Sequence, residues 1–103
     1  MAFAVSTDDR DGYVDMTLTG NLDAESASAF YARVESAVAG NVKSIVLRLA
    51  GLEYMSSAGI RVLVLLRRKL GIGVYLVAAS EQVLDTLKRT STLEEFHVVD
   101  QYP

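Results

Sequence analysis

Apolar and polar positions change period along this chain in a way that predicts strands alternating with helices. From Tyr13 to Thr19, Val14, Met16 and Leu18 alternate with Tyr13, Asp15, Thr17 and Thr19, the period-two pattern of a half-buried strand. Ala2 to Ser6 predicts a strand before it, and the connecting Thr7-Asp8-Asp9-Arg10-Asp11-Gly12 ends in Asp-Gly, which favours a hairpin turn. Gly20-Asn21-Leu22-Asp23 then leads into a helix from about Ala24 to Ala39, with Ala27, Phe30, Tyr31, Val34 and Val38 at helical spacing. Asp23 is its expected N-cap and Gly40-Asn41 its stop.

The run Ser44 to Leu49 reads as a strand that ends at Ala50-Gly51, and Ile60 to Leu70, free of Gly and Pro, reads as a helix. Gly71-Ile72-Gly73 marks the turn into Val74 to Ala78, a continuous apolar run of the buried-strand kind. Ser80 caps a third helix, Glu81 to about Arg89, that turns Val83, Leu84 and Leu87 inward, and Phe96 to Val99 supplies a last short strand. The order ββαβαβα plus a short strand predicts an α/β domain with a mixed four- to five-stranded sheet, right-handed crossovers and covering helices. In such a sheet the sites lie at the carboxyl ends of the parallel strands, where the loop Tyr54 to Gly59 emerges.

That loop carries the candidate chemistry. Tyr54-Met55-Ser56-Ser57-Ala58-Gly59-Ile60-Arg61 joins a strand to an apolar helix through two adjacent hydroxyls. At a helix N-cap or first turn a serine accepts bonds from backbone N–H groups that lack intrahelical partners. The same groups and the positive end of the helix dipole favour an added phosphate. Without context such a pair is a cap and nothing more.

Composition narrows the classes. At 103 residues and 50% hydrophobic content the expectation is one domain, 1–103, with room for a core. The net charge of −3 and the absence of a Lys/Arg cluster beyond Arg67-Arg68-Lys69 argue against nucleic acid. There is no cysteine and a single histidine, His97, so disulfides, thiolate chemistry, Cys-based zinc, multi-His metal sites and a His-dependent triad are excluded. A Ser57 nucleophile is disfavoured, because the segment lacks the Gly-x-Ser-x-Gly elbow and a companion base. Neither end resembles a targeting sequence and the longest apolar run is far shorter than a membrane span. A cytoplasmic protein without membrane insertion is expected.

The octet, with the strand before it, resembles the signature of STAS domains and specifically of bacterial anti-sigma factor antagonists. There the segment often reads as an aromatic or aliphatic pair, Asp or Ser, the phosphorylatable Ser or Thr, a small residue, then Gly-Leu. Here those places hold Tyr54-Met55, Ser56, Ser57, Ala58 and Gly59-Ile60. Gly20-Asn21-Leu22-Asp23-Ala24 is similar to the family's Gly-x-Leu-Asp-Ala, and Thr90-Ser91-Thr92-Leu93 stands loosely for its Thr-Gly-Leu. Two positions depart from the pattern: Ser56 where many members carry Asp, and Arg48 where the strand often carries Asp. Arg48 would then put a cation near the sheet's carboxyl edge, altering the docking surface or stabilising a phosphoserine.

The resemblance implies a STAS fold and a partner-switching role. The unmodified protein would bind a GHKL-type anti-sigma factor that is also a serine kinase. Phosphorylation of Ser57, with Ser56 the second choice, would end the interaction, and a serine phosphatase would restore it. The protein would be a substrate and not an enzyme, without a cofactor of its own, since ATP and Mg²⁺ belong to the kinase. Expected partner-binding residues are Asn21, Asp23, Tyr54, Met55, Ser56, Ser57, Ala58, Gly59 and Arg61, on a monomer. For Tyr54 and Met55 core packing competes with contact. For Gly59 a steric need in the first turn competes with close approach of a partner or phosphate, and for Asp23 helix capping suffices. The alternative is a STAS structural or ligand-binding module, never phosphorylated, in a transport or stress-sensing assembly.

Overall fold

The computed structural model describes residues 2–38 and 42–102. Strand β1 (Ala4–Asp9) turns through Arg10 to Gly12 into β2 (Tyr13–Leu22), with which it pairs antiparallel. The turn closes with the Arg10 N–H donating to the Tyr13 carbonyl at 2.9 Å. Helix α1 (Ala24–Ala37), β3 (Ser44–Met55), α2 (Ser57–Leu70), β4 (Gly73–Val77), α3 (Glu81–Arg89) and β5 (His97–Val99) follow, with a 3-10 turn at Leu93–Glu95 before β5. The expected helix end at Ala39 and its Gly40-Asn41 stop lie outside the described residues. Val38 is the observed C-cap, donating to the Val34 carbonyl.

The five strands lie in sequence order, β1-β2-β3-β4-β5, with β2 to β5 parallel. Three crossovers step the same way along the sheet, which with the usual right-handed connection sets the helices on one face, and residues of all three share one core. Val14, Met16 and Leu18 of β2, with Ile45, Leu47 and Leu49 of β3, meet Phe30 of α1, Ile60 and Leu63 of α2 and Leu87 of α3 in one core. Of the third helix's expected inward residues Val83 and Leu87 are fully buried, and Leu84 packs at the core's margin.

The other face carries an ion pair and an aromatic group beside Val46 and Val77. Asp15, buried, takes a bidentate bond from Arg48, with Nε 2.9 Å from Oδ1 and Nη2 2.9 Å from Oδ2. Arg48 stands opposite Thr17, midway along β2, and opposite Val77, the last residue of β4, and its charge is spent on Asp15; it lies seven residues short of the end of β3, where the Tyr54 to Gly59 segment begins. Beside the pair, Tyr102 packs on Tyr13 and Tyr75, at centroid distances of 5.1 and 5.0 Å, and His97 stacks on Tyr75.

The structure differs most from expectation at the ends of β2 and β3. Both strands run on through segments that read as loops, pairing Thr19 with Gly51, Gly20 with Leu52, Asn21 with Tyr54 and Leu22 with Met55. Between Thr17 and Thr19, and again between Gly20 and Asn21, β3 gains a residue on β2, so its side-chain alternation is reset twice.

Candidate functional site

The level ends of β2 and β3 set the geometry of the site. The Ser56 N–H donates to the Leu22 carbonyl at 2.9 Å, which fastens the start of α2 to the end of β2. Ser56 has extended backbone and is the N-cap; its Oγ accepts from the Gly59 N–H at 3.2 Å. Ser57 is the first helical residue and is exposed, and its hydroxyl has no hydrogen-bond partner among the described residues. The two hydroxyls thus divide: one holds the helix end, the other faces solvent.

Two members of the octet are core. Met55 is 0% exposed, and its peptide is gripped by the Gln82 side chain, which accepts from the Met55 N–H at 2.9 Å and donates to its carbonyl at 3.2 Å. The contact role considered for Met55 is corrected: burial removes its side chain from any docking surface. Gly59 is buried against β2, and a Cβ there would lie 2.9 Å from Leu22 Cγ and 3.0 Å from the Leu22 carbonyl oxygen. The glycine serves helix-on-strand approach, not the approach of a partner or a phosphate.

The remaining predicted residues gather at the same end of the sheet. Tyr54 is 43% exposed and lies opposite Asn21 in register, so the exposure favours contact over core packing. Asn21 is half-buried, and its carbonyl accepts from the Ser26 hydroxyl at 3.1 Å. Asp23 is the N-cap of α1 in a reciprocal capping box: its carboxylate accepts from the Ser26 N–H at 3.1 Å, and its own N–H donates to the Ser26 Oγ at 3.0 Å. The bond from the Ser26 N–H holds the Asp23 carboxyl below the ordinary aspartate range. Ala58 is half-buried, and Arg61 is exposed one turn beyond Ser57.

Sequence reasoning missed two contributors. Gln82 anchors the end of β3 from 27 residues away, a contact with no local signal. Thr90, Ser91 and Thr92, matched only loosely to the family's Thr-Gly-Leu, form one wall of a depression of about 370 Å³ whose other wall includes Ser57, Arg61 and Arg68. Thr90 and Thr92 bond each other at 2.8 Å, and Ser91 between them takes the left-handed conformation, φ +57°. Arg67 and Arg68 both pair with Glu95, and the Arg68 guanidinium holds that carboxyl below its ordinary range. Among the described residues no group of His, Asp and Glu is arranged to hold a metal ion, and no helix is long and apolar enough to cross a membrane.

The family model of the STAS domain matches residues 4–102. The chain belongs to the STAS domain family. No curated protein matches it by sequence. Among solved structures, an anti-sigma factor antagonist from Mycobacterium paratuberculosis superposes with a TM-score of 0.86 at 22% identity, over 97% of this chain and 87% of that one. SpoIIAA, a Bacillus cell fate determinant solved in its phosphorylated form, gives 0.70 at 19% identity over 97% and 92% of the two chains. A sulfate transporter family protein from Wolinella succinogenes gives 0.72 at 19% identity over 87% and 78%. At these identities the likeness is one of fold: the five-stranded mixed sheet and three helices are the STAS fold.

Proposed function

We propose that this STAS domain is an anti-sigma factor antagonist, regulating sigma-factor-dependent transcription through a partner switch operated at Ser57. The observation that carries the reading is the division of labour between the two hydroxyls: Ser56 is committed to the cap, and Ser57 is exposed and has no hydrogen-bond partner among the described residues. Ser57 is accordingly the acceptor and Ser56 is not. The docking surface comprises Ser57, Tyr54, Asn21 and Arg61, and extends along the exposed side of α2 to Leu65, which is 50% exposed. Asp23, Ser56 and Gly59 shape it from beneath.

The partner is an anti-sigma factor of the GHKL kinase type, acting on a soluble cytoplasmic monomer in which 1–103 form one domain. In the transfer, Ser57 Oγ bonds the γ-phosphorus of ATP as the bond to ADP breaks, and the hydroxyl proton passes to a base of the kinase; ATP and Mg²⁺ are the kinase's. The phosphoserine then carries roughly −1.5 to −2 charges against a surface fitted to a neutral hydroxyl, and desolvation and repulsion dismiss the partner. A serine phosphatase resets the state. A second reading, an unphosphorylated module of a transport assembly, draws on the likeness to the Wolinella transporter family protein.

The test is incubation with host lysate and ATP, followed by intact-mass and fragment mass spectrometry of wild type, Ser57→Ala and Ser56→Ala. A single addition of about 80 Da, lost only in Ser57→Ala, is expected. With the isolated kinase, Ser57→Ala retains binding and Ser57→Asp weakens it about tenfold or more. No addition, under conditions in which an authentic antagonist of the same host is modified, overturns the switch in favour of the transport-type module.

A further inference from the structure

The chain has seven arginines. Six have partners: Arg10 pairs with Asp8, Arg33 donates to the Thr7 hydroxyl, Arg48 holds Asp15, Arg67 and Arg68 share Glu95, and Arg89 pairs with Asp85. Arg61 alone of the seven has neither a carboxylate nor a hydroxyl partner among the described residues. It is exposed, it is the first charged residue of α2, and no acidic side chain stands in the helix's first turn to neutralise it. It follows Ser57 by four residues, the spacing at which two side chains meet on one helix face, and the two line the same depression.

Resting on the reading of Ser57 as phosphoacceptor, we propose that Arg61 is the internal receptor for that phosphate: once Ser57 is modified, the Arg61 guanidinium folds back one turn and pairs with it. Phosphorylation then removes two things from the docking surface at once, the neutral hydroxyl and the free cation. An arginine suits this role because its planar fork can give two parallel N–H bonds to phosphate oxygens, which an ammonium cannot. Arg68 lines the same depression, but its guanidinium is held by Glu95 at 3.3 and 3.4 Å, so it stays where it is. The unmodified protein keeps Arg61 available to the partner, and the modified one turns it inward.

The test installs phosphoserine at position 57 by genetic code expansion, so that no kinase is needed, and follows its phosphorus NMR signal against pH in four backgrounds: wild type, Arg61→Gln, Arg61→Lys and Arg68→Gln. A cation in contact favours the dianion, so the second phosphate ionisation in wild type should fall about half a pH unit below that in Arg61→Gln. Arg61→Lys should lie between them, and Arg68→Gln should titrate as wild type. The separation should shrink in 1 M salt, where the screening length falls to about 3 Å. Far-UV circular dichroism confirms that each variant is folded, as expected for changes at exposed side chains.

Superimposable titrations of wild type and Arg61→Gln overturn the pairing, and equal shifts in Arg61→Gln and Arg68→Gln assign the effect to general surface charge and overturn it too. Both results leave the switch standing. Failure of lysate phosphorylation would overturn the switch and leave the pairing to be decided by the installed phosphoserine.

Discussion

Two helix starts stand side by side at the carboxyl edge of the sheet, and they are finished differently. Helix α1 opens with Asp23 and Ser26 satisfying each other's backbone donors, with Glu25 in the first turn to oppose the dipole. Helix α2, one strand away, opens with a single side-chain capping bond, from the Gly59 N–H to Ser56, no acid in the first turn, and a Ser57 hydroxyl and an Arg61 guanidinium that have no partner among the described residues. The first end is closed by its own residues. The second is fastened from below, through Leu22, Gly59 and Gln82, and left electrostatically open above. Stability and the proposed switch thus fall to different atoms of the same octet.

The comparison can be broken most severely from below. Gly59→Val would drive a branched side chain against the Leu22 carbonyl and side chain, and should cost about 2–3 kcal/mol in urea denaturation. An unchanged midpoint would show that the helix does not depend on that approach. Next is the cap: Ser56→Ala should cost about 1 kcal/mol by the same measurement. If Ser57→Ala cost more than Ser56→Ala, the assignment of cap and acceptor would be reversed.

A smaller effect separates the two ends by pH. The folded Asp23 carboxyl is held below its ordinary range by the Ser26 N–H, so its stabilising contribution is full above the unfolded value of about 3.9 and is lost as pH falls through the folded one. The gap in melting temperature between wild type and Asp23→Ala should therefore hold from pH 7 to pH 5 and narrow below about pH 4. The gap between wild type and Ser56→Ala should not change with pH, because a hydroxyl cap does not titrate there. Parallel behaviour of the two variants would remove the electrostatic distinction. The smallest expected change is the most informative for function: Ser57→Ala should leave stability within about 0.5 kcal/mol while abolishing the switch.

Much of this architecture is legible in the sequence because local pattern and tertiary demand agree. The alternation of Val14, Met16 and Leu18, the caps Asp23 and Ser80, and the stop at Gly71 each report a structure that forms where they stand. Legibility fails where long-range pairing overrides local punctuation. Ala50-Gly51 reads as a strand end, yet β3 continues to Met55 because β2 offers it a partner through Leu22. The two added residues in β3 put Leu49, Leu52 and Met55 in the core at intervals of three, so a period-two reading run on from Leu47 and Leu49 would turn Leu52 outward and the exposed Glu53 inward. Arg48 misleads for a related reason: its partner Asp15 is 33 residues distant, and only the sheet register brings them together.

Under the proposed partner switch, the edges of the sheet bear on how the partner would recognise this protein. Strand β1 is exposed along nearly its whole length but carries Asp8 and Asp9, and β5 is only three residues long with Asp100 following. Charge on one edge and brevity on the other discourage another chain from adding a strand. Strand addition reads main-chain hydrogen bonds, which are nearly indifferent to what one hydroxyl carries. A partner kept from the edges must read side chains and a helix end, and that is the mode of recognition in which one phosphoryl group can change the answer.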